Sequence, residues 1–429
     1  MREEGVEPSR PYGHMPLKHT RLPVTPLPRD RSILLEEHRS RRLHTIATMR
    51  RTADVVIVGG GIIGASIAYH LTKKGVRDIL VLERDRLGSG STGKNAGGIR
   101  LQFSSEINVK LSQRSLPHIE RFEDEIGTDP HFHQVGYLFL ITEDRDVAAF
   151  ERSLAMWSRL GIPAHRVTAA EAKALFKHAR TDDVRFGTFC AKDGYADPSS
   201  MLNGYVARAR EAGVVFIQDA AVTAISCANG RVSGVRTKDE EIEARTVVNA
   251  AGPWAAQVAK LASLDLPIQP LRRHILVTEA VPGLDEDFPL TIEFATGLYA
   301  HRESGGVLLG MADPNEKPAF DDRVNWDFMP TVVERALARF PILERTSIKT
   351  GWAGLYEDTP DKHPILGKHD GIDGFISAAG FSGHGIMHAP ATGELIAELI
   401  VDGRTSLEIS ALSSSRFRTG QLVREHNVI

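Results

Sequence analysis

The chain has 429 residues, 42% of them hydrophobic and 25% charged, with a formal net charge of -3. This is ordinary globular composition with room for two or three domains, and the lack of a basic excess argues against a broad nucleic-acid surface and towards small-molecule chemistry. Cys190 and Cys227 alone cannot build a disulfide framework or a CxxC metal site, no apolar run is long enough for a transmembrane helix, and a reducing, cytoplasmic location is expected.

Residues 1–50 are proline-rich, lack hydrophobic periodicity and are expected to be disordered. Glu3, Glu4 and Glu7 fit a transit peptide badly, and Met49, just ahead of the first apolar run, is the expected native start.

The folded part begins with DVVIV at 54–58, a near-continuous apolar run of the kind a buried parallel strand needs. Gly59, Gly61 and Gly64 follow as GxGxxG, and Ile63, Ile67 and Leu71 fall at helical spacing up to the stop at Gly75. The second strand, DILVLE, ends on Glu83, where a carboxylate can accept from a ribose diol. A lone GxGxxG is a weak signal. Strand, glycines, helix, strand and acid in that order specify a dinucleotide site: Gly59 for the turn, Gly61 for close approach to a pyrophosphate, Gly64 for packing helix on strand.

After Arg84 the chain turns into RLGSGSTGKNAGGIRLQFSS instead of adding further βα units. A small, polar loop suits close approach to a large flat ligand, with Ser91, Thr92 and Asn95 as donors, and so favours a flavin dinucleotide over a nicotinamide one. Further on, 213–237 reads as strand, turn and strand with ANG at a hairpin, TVVNAAG at 246–252 as a buried strand, and 297–313 as a second strand–turn–strand unit. The histidines of HFH (131–133) and the RRH run (272–274) lack partners at metal-ligand spacing and are assigned to surface or packing roles; no metal is expected.

The runs GSGSTGKNAGGIRLQF, VVNAAGPWA (247–255), GLYEDTPDKHPILG (354–367) and GFSGHGIMHAP (380–390), in that order, closely resemble the D-amino-acid oxidase superfamily of FAD-dependent amine oxidoreductases. The nearest branch resembles sarcosine oxidase β-subunit, proline dehydrogenase and dimethylglycine dehydrogenase-like proteins. The resemblance implies an α/β fold (α+β overall): a Rossmann-like FAD-binding domain from 51–132, 190–266 and 352–429, and an antiparallel-sheet substrate domain from 133–189 and 267–351. It also implies FAD contacts from Ile62, Ile63, Arg84 and Gly97, from Val222, Ala251, Gly252 and Trp254, and from Gly380, Phe381, Ser382, Gly383, Gly385 and Ile386.

The implied reaction is oxidation of the C–N bond of a small amine or amino acid by hydride transfer to flavin, followed by imine hydrolysis. Arg100 matches the family's substrate-carboxylate arginine, although a flavin phosphate or a structural acid is an alternative partner. Tyr299 and Tyr356 fall in segments that line related sites, and His384 stands in the flavin-edge motif. Where relatives tether flavin through cysteine or histidine, this chain has Gly354 and a histidine-free loop, so FAD is expected to be non-covalent. Leu308 stands where a relative has an oxygen-activating lysine, which favours a dehydrogenase with a protein or quinone acceptor and possible partner subunits; Met387 replaces a substrate-binding lysine. A second functional class stays open: an FAD-binding assembly factor or non-catalytic flavoprotein subunit, which shares the GFSGHG region and an ending like EHNVI. A glycerol-3-phosphate dehydrogenase-like enzyme would want basic residues near these motifs that are not found.

Overall fold

The computed structural model describes residues 52–428. The expected disorder of 1–50 and the expected start at Met49 lie outside the described residues. Two eight-stranded sheets organise the rest. The first is built around Thr52–Val58, which pairs in parallel with Ile79–Leu82 on one side and Glu241–Asn249 on the other. Ile372–Ala379 adds in parallel to Glu241–Asn249, and Val215–Ile217 to Ile79–Leu82. Parallel strands are buried on both faces, which is why VVIV and ILVL read as unbroken apolar runs.

The helix Ile62–Lys73 buries eleven of its residues. It crosses Gly385–Val401, a seventeen-residue helix that is apolar nearly all round and buried against the first sheet. The crossing is close because Ser66 Oγ donates to Ala389 O at 2.8 Å, and a Cβ on Gly393 would lie 2.2 Å from that same hydroxyl. The two hairpins read from sequence occur. Ala224–Ala228 and Arg231–Arg236 turn at Asn229 and Gly230, and Leu298–Glu303 and Gly306–Met311 turn at Ser304 and Gly305, all four turn residues with positive φ.

The second sheet runs in the order 348–358, 269–278, 306–311, 298–303, 290–293, 137–141, 186–190, 165–167. All its pairs are antiparallel except 290–293 with 137–141. The expected boundary at 352 falls inside Ile348–Asp358, which pairs with Gln269–Thr278 along its length, so this sheet extends to Asp358. From there the chain crosses to the first sheet, where Ile365–His369 and Ile372–Ala379 are its next strands.

Candidate active site

A continuous cavity of about 550 Å³ lies where the two sheets meet. One end is built by the first strand–helix unit. Gly59 has φ +116, and a Cβ there would sit 2.2 Å from Ala250 O, so neither the turn nor the neighbouring strand tolerates a side chain. Gly61 starts the helix with no side chain of its own to cap it and lines the cavity, while the first N–H of the helix, that of Ile62, is taken by Thr92. Glu83 lines this end. Its carboxylate accepts the Gly60 N–H at 2.8 Å and the Asp85 N–H at 2.9 Å, which fixes the glycine turn. Arg84 lies 3.7 Å from the centre of the Trp254 ring, and Trp254 stacks on Phe320 from the second sheet's long loop.

The loop after Arg84 lines the middle. Its side chains do something other than expected. Ser91 Oγ donates to Leu355 O at 2.6 Å, Asn95 Nδ2 donates to Thr92 O at 2.6 Å, and Thr92 Oγ1 accepts the Ile62 N–H at 3.1 Å. These groups hold the loop against the helix start and the second sheet, and Ser91, Thr92 and Asn95 all line the cavity. Ile62, Ile63, Gly97, Val222, Ala251 and Gly252 also line the cavity.

GFSGHG occupies the far wall. Gly383, His384, Gly385 and Ile386 face the cavity, and the helix that starts at Gly385 has no side-chain cap. Four residues expected at the cofactor stand behind the wall instead. Gly64 packs on Gly59 O, Gly380 donates its N–H to Glu357, Phe381 is 1% exposed in the core, and Ser382 Oγ accepts the Thr359 N–H at 3.2 Å. Ser382 adopts φ 50 to make this turn, and its hydroxyl satisfies buried backbone that would otherwise lack a partner.

The remaining end is aromatic and cationic: Tyr137, Tyr299, Tyr356, Arg100, Arg273 and His384 converge there. Burial raises the pKa of all three tyrosines, so they stay protonated donors. Burial, reinforced by the Arg100 charge, holds His384 neutral. Arg100 is 2% exposed and its guanidinium is occupied by the protein. It donates to Gln102 O at 2.8 Å and to Asn427 O of the C-terminal tail, and lies 3.3 Å from His384 Nε2.

Three features of this end were not singled out from the sequence. Glu357 lines the wall as a buried carboxyl pushed up to about 7 by desolvation, against the pull of the Gly380 and Phe381 N–H groups. The C-terminal tail docks through Glu425, which accepts from both Ser104 and Ser105 and from Asn108. The RRH run splits: Arg272 pairs with Glu316 and Asp321, and His274 accepts the Asn325 N–H, but Arg273 enters the cavity. The signal was present in the alternation of LRRHILV, which puts Arg273 on the face of Ile275. Of the other histidines, His131 is exposed and His133 stacks on Tyr195 at 5.1 Å. Among the described residues no cluster of His, Cys, Asp or Glu is placed to hold a metal.

The glycine turn, the two helix N-termini and the polar backbone between them form a site for a dinucleotide carrying a pyrophosphate and an anionic ring edge. This combination defines a dinucleotide-binding oxidoreductase with a second, enclosing sheet. Residues 54–399 match the family described as DAO, FAD dependent oxidoreductase, and the chain belongs to that family. It is 32% identical over 426 residues to FAD-dependent oxidoreductase domain-containing protein 1 of Xenopus laevis, covering 88% of this chain and 85% of that protein. It is 30% identical to mitochondrial sarcosine dehydrogenase of Mus musculus over 85% of this chain, but spans only 41% of that enzyme. Among solved structures, L-proline dehydrogenase from P. horikoshii superposes with a TM-score of 0.83 at 32% identity, over 88% of this chain and all of that one. Glycine oxidase from Geobacillus kaustophilus gives 0.78 at 26% identity, over 85% and 99%. The protein is therefore an FAD-dependent oxidoreductase of an amine- and amino-acid-oxidising family.

Proposed function

We propose that this protein oxidises the C–N bond of a small amine or amino acid, of the sarcosine, proline or glycine kind, and passes the electrons preferentially to an acceptor other than oxygen. The observation that carries the reading is the continuity of one cavity from the glycine turn at Gly59 to the polar, aromatic end at Tyr299, Tyr356, Arg100 and His384. FAD, when bound, would supply the acceptor for the hydride equivalent leaving the carbon beside nitrogen. The chain's residues orient and desolvate. Protonated Tyr299 and Tyr356 offer donors, neutral His384 offers an imidazole whose Nδ1 has no protein partner, and Arg100 supplies a fixed positive charge.

Backbone at Gly61, Gly97, Gly252, Gly383 and Gly385, with Glu83, Arg84 and Trp254, would hold the dinucleotide without a covalent bond. The buried Leu308, packed with Ile275 and Val277, leaves that strand without a cation to stabilise superoxide, which supports the non-oxygen acceptor. Similarity to sarcosine dehydrogenase and L-proline dehydrogenase supports the substrate class. The unpaired, exposed Cys227 suits the reducing cytoplasm. Anaerobic titration of the purified flavoprotein with sarcosine, dimethylglycine, proline and glycine tests the proposal: one of them should bleach the oxidised-flavin band, and air should restore it slowly. The chain also covers 85% of FAD-dependent oxidoreductase domain-containing protein 1, whose name states no substrate, and a second reading is a non-catalytic flavoprotein subunit or assembly factor. A yellow protein that no amine bleaches would favour it.

A further inference from the structure

We infer that Arg273, not Arg100, is the residue that selects substrates bearing a carboxylate; the inference rests on the amine-oxidation reading above. Arg100 and Arg273 both reach the same end of the cavity, but their hydrogen-bonding states differ. Arg100 is committed to Gln102 O, to Asn427 O and to His384, and its charge lies over the Phe103 ring at 4.1 Å. Arg273 makes one hydrogen bond, Nη1 to Arg272 O at 2.9 Å, while its buried Nε has no partner. Among the described residues no carboxylate pairs with it, although Arg272 next door is neutralised by Glu316 and Asp321. A buried guanidinium N–H without an acceptor is costly unless a ligand supplies one.

The strand register shows where that ligand would sit. Arg273 pairs with Gly354, Leu271 with Tyr356, and Ile275 with Trp352, so Arg273 and Tyr356 are diagonal neighbours on one face of the sheet. The Arg273 guanidinium lies 4.8 Å from the centre of the Tyr356 ring, and its partner Gly354 lines the cavity with Lys94 packed closely against it. Tyr299 completes the corner from the next hairpin, its ring covering Gly310, which pairs with Ile275. One uncompensated fork of donors flanked by protonated phenols matches a carboxylate and offers nothing comparable to an uncharged group. The expected substrates are therefore amino acids or N-alkylated amino acids, in preference to simple monoamines.

The test reads ligand binding on the oxidised flavin of the holoenzyme and needs no turnover. Wild type, Arg273→Met, Arg273→Gln and Arg100→Lys are titrated with pyrrole-2-carboxylate and with its uncharged amide, following the visible spectrum. Wild type should bind the carboxylate about 10- to 100-fold more tightly than the amide. Arg273→Met and Arg273→Gln should abolish that preference, and Arg100→Lys should keep it. Arg273→Gln decides the matter if the methionine variant fails to retain flavin. A preference that survives in the Arg273 variants, or one absent from wild type, overturns the inference. Failure of every amine to bleach the wild-type flavin overturns the amine-oxidation reading instead, so the two failures are distinct.

Discussion

Glu357 Oε2 accepts the Gly380 N–H at 2.8 Å, and this bond ties the last strand of the second sheet to the glycine turn that opens the buried helix of the first. The Ser382 N–H donating to Glu357 O at 3.2 Å doubles the connection. The wall of the cavity is thus held by a carboxyl buried at the junction of two layers, and its protonation couples to the stability of that junction.

Burial raises the Glu357 carboxyl from 4.5 to about 7. A group whose folded value lies above its unfolded one binds the extra proton in the native state. Its contribution to stability is complete below about 4.5 and is lost as pH rises through about 7. Wild type should therefore lose up to about 3 kcal/mol between pH 4.5 and 8 through this residue, an order-of-magnitude figure. Urea unfolding of wild type and Glu357→Gln across that range should show the glutamine variant gaining on wild type as pH rises; parallel profiles would remove Glu357 from this role.

Gly383 has φ +92, and a Cβ there would lie 2.4 Å from the Tyr356 ring. Gly383→Ala combines backbone strain of about 1–3 kcal/mol with displacement of Tyr356 from the cavity. The expected result is a folded protein with reduced flavin content, measured as the ratio of flavin to protein absorbance, and weakened substrate binding in what remains.

The Tyr356 ring packs against Gly383 and its phenol is held protonated. Tyr356→Phe keeps the packing and removes the donor. We expect kcat/KM for the substrate that bleaches the flavin to fall about tenfold, the worth of one hydrogen bond in a desolvated site, with Tm unchanged within error.

Burial pushes the Glu425 carboxyl up, but the bonds from Ser104 and Ser105 and the charge of Arg100 bring it below its ordinary value. The stability it contributes is present above its unfolded value and is lost as pH falls through the folded one. Glu425→Ala would leave several buried donors without an acceptor. We expect about 2–4 kcal/mol of destabilisation by urea unfolding, together with faster proteolysis of the C-terminal tail.

The sequence alone was enough for everything governed by local geometry. The run from Val55 to Glu83 names its strand, turn, helix and strand because apolar period and glycine placement are properties of adjacent residues. The hairpins at Asn229-Gly230 and Ser304-Gly305 are legible for the same reason. What the tertiary structure decided was the allegiance of polar groups. Ser91, Asn95 and Ser382 carry hydroxyl or amide groups that could serve a ligand or a carbonyl with equal chemistry, and only their spatial neighbours assign them to Leu355, Thr92 and Thr359. Arg100 was marked by resemblance as a substrate-carboxylate arginine, yet a carbonyl that engages it comes from Asn427, at the far end of the chain. Arg273 was not singled out, because alternation fixes only which residues share a face, and the packing of one sheet against the other determines what that face meets, here the cavity.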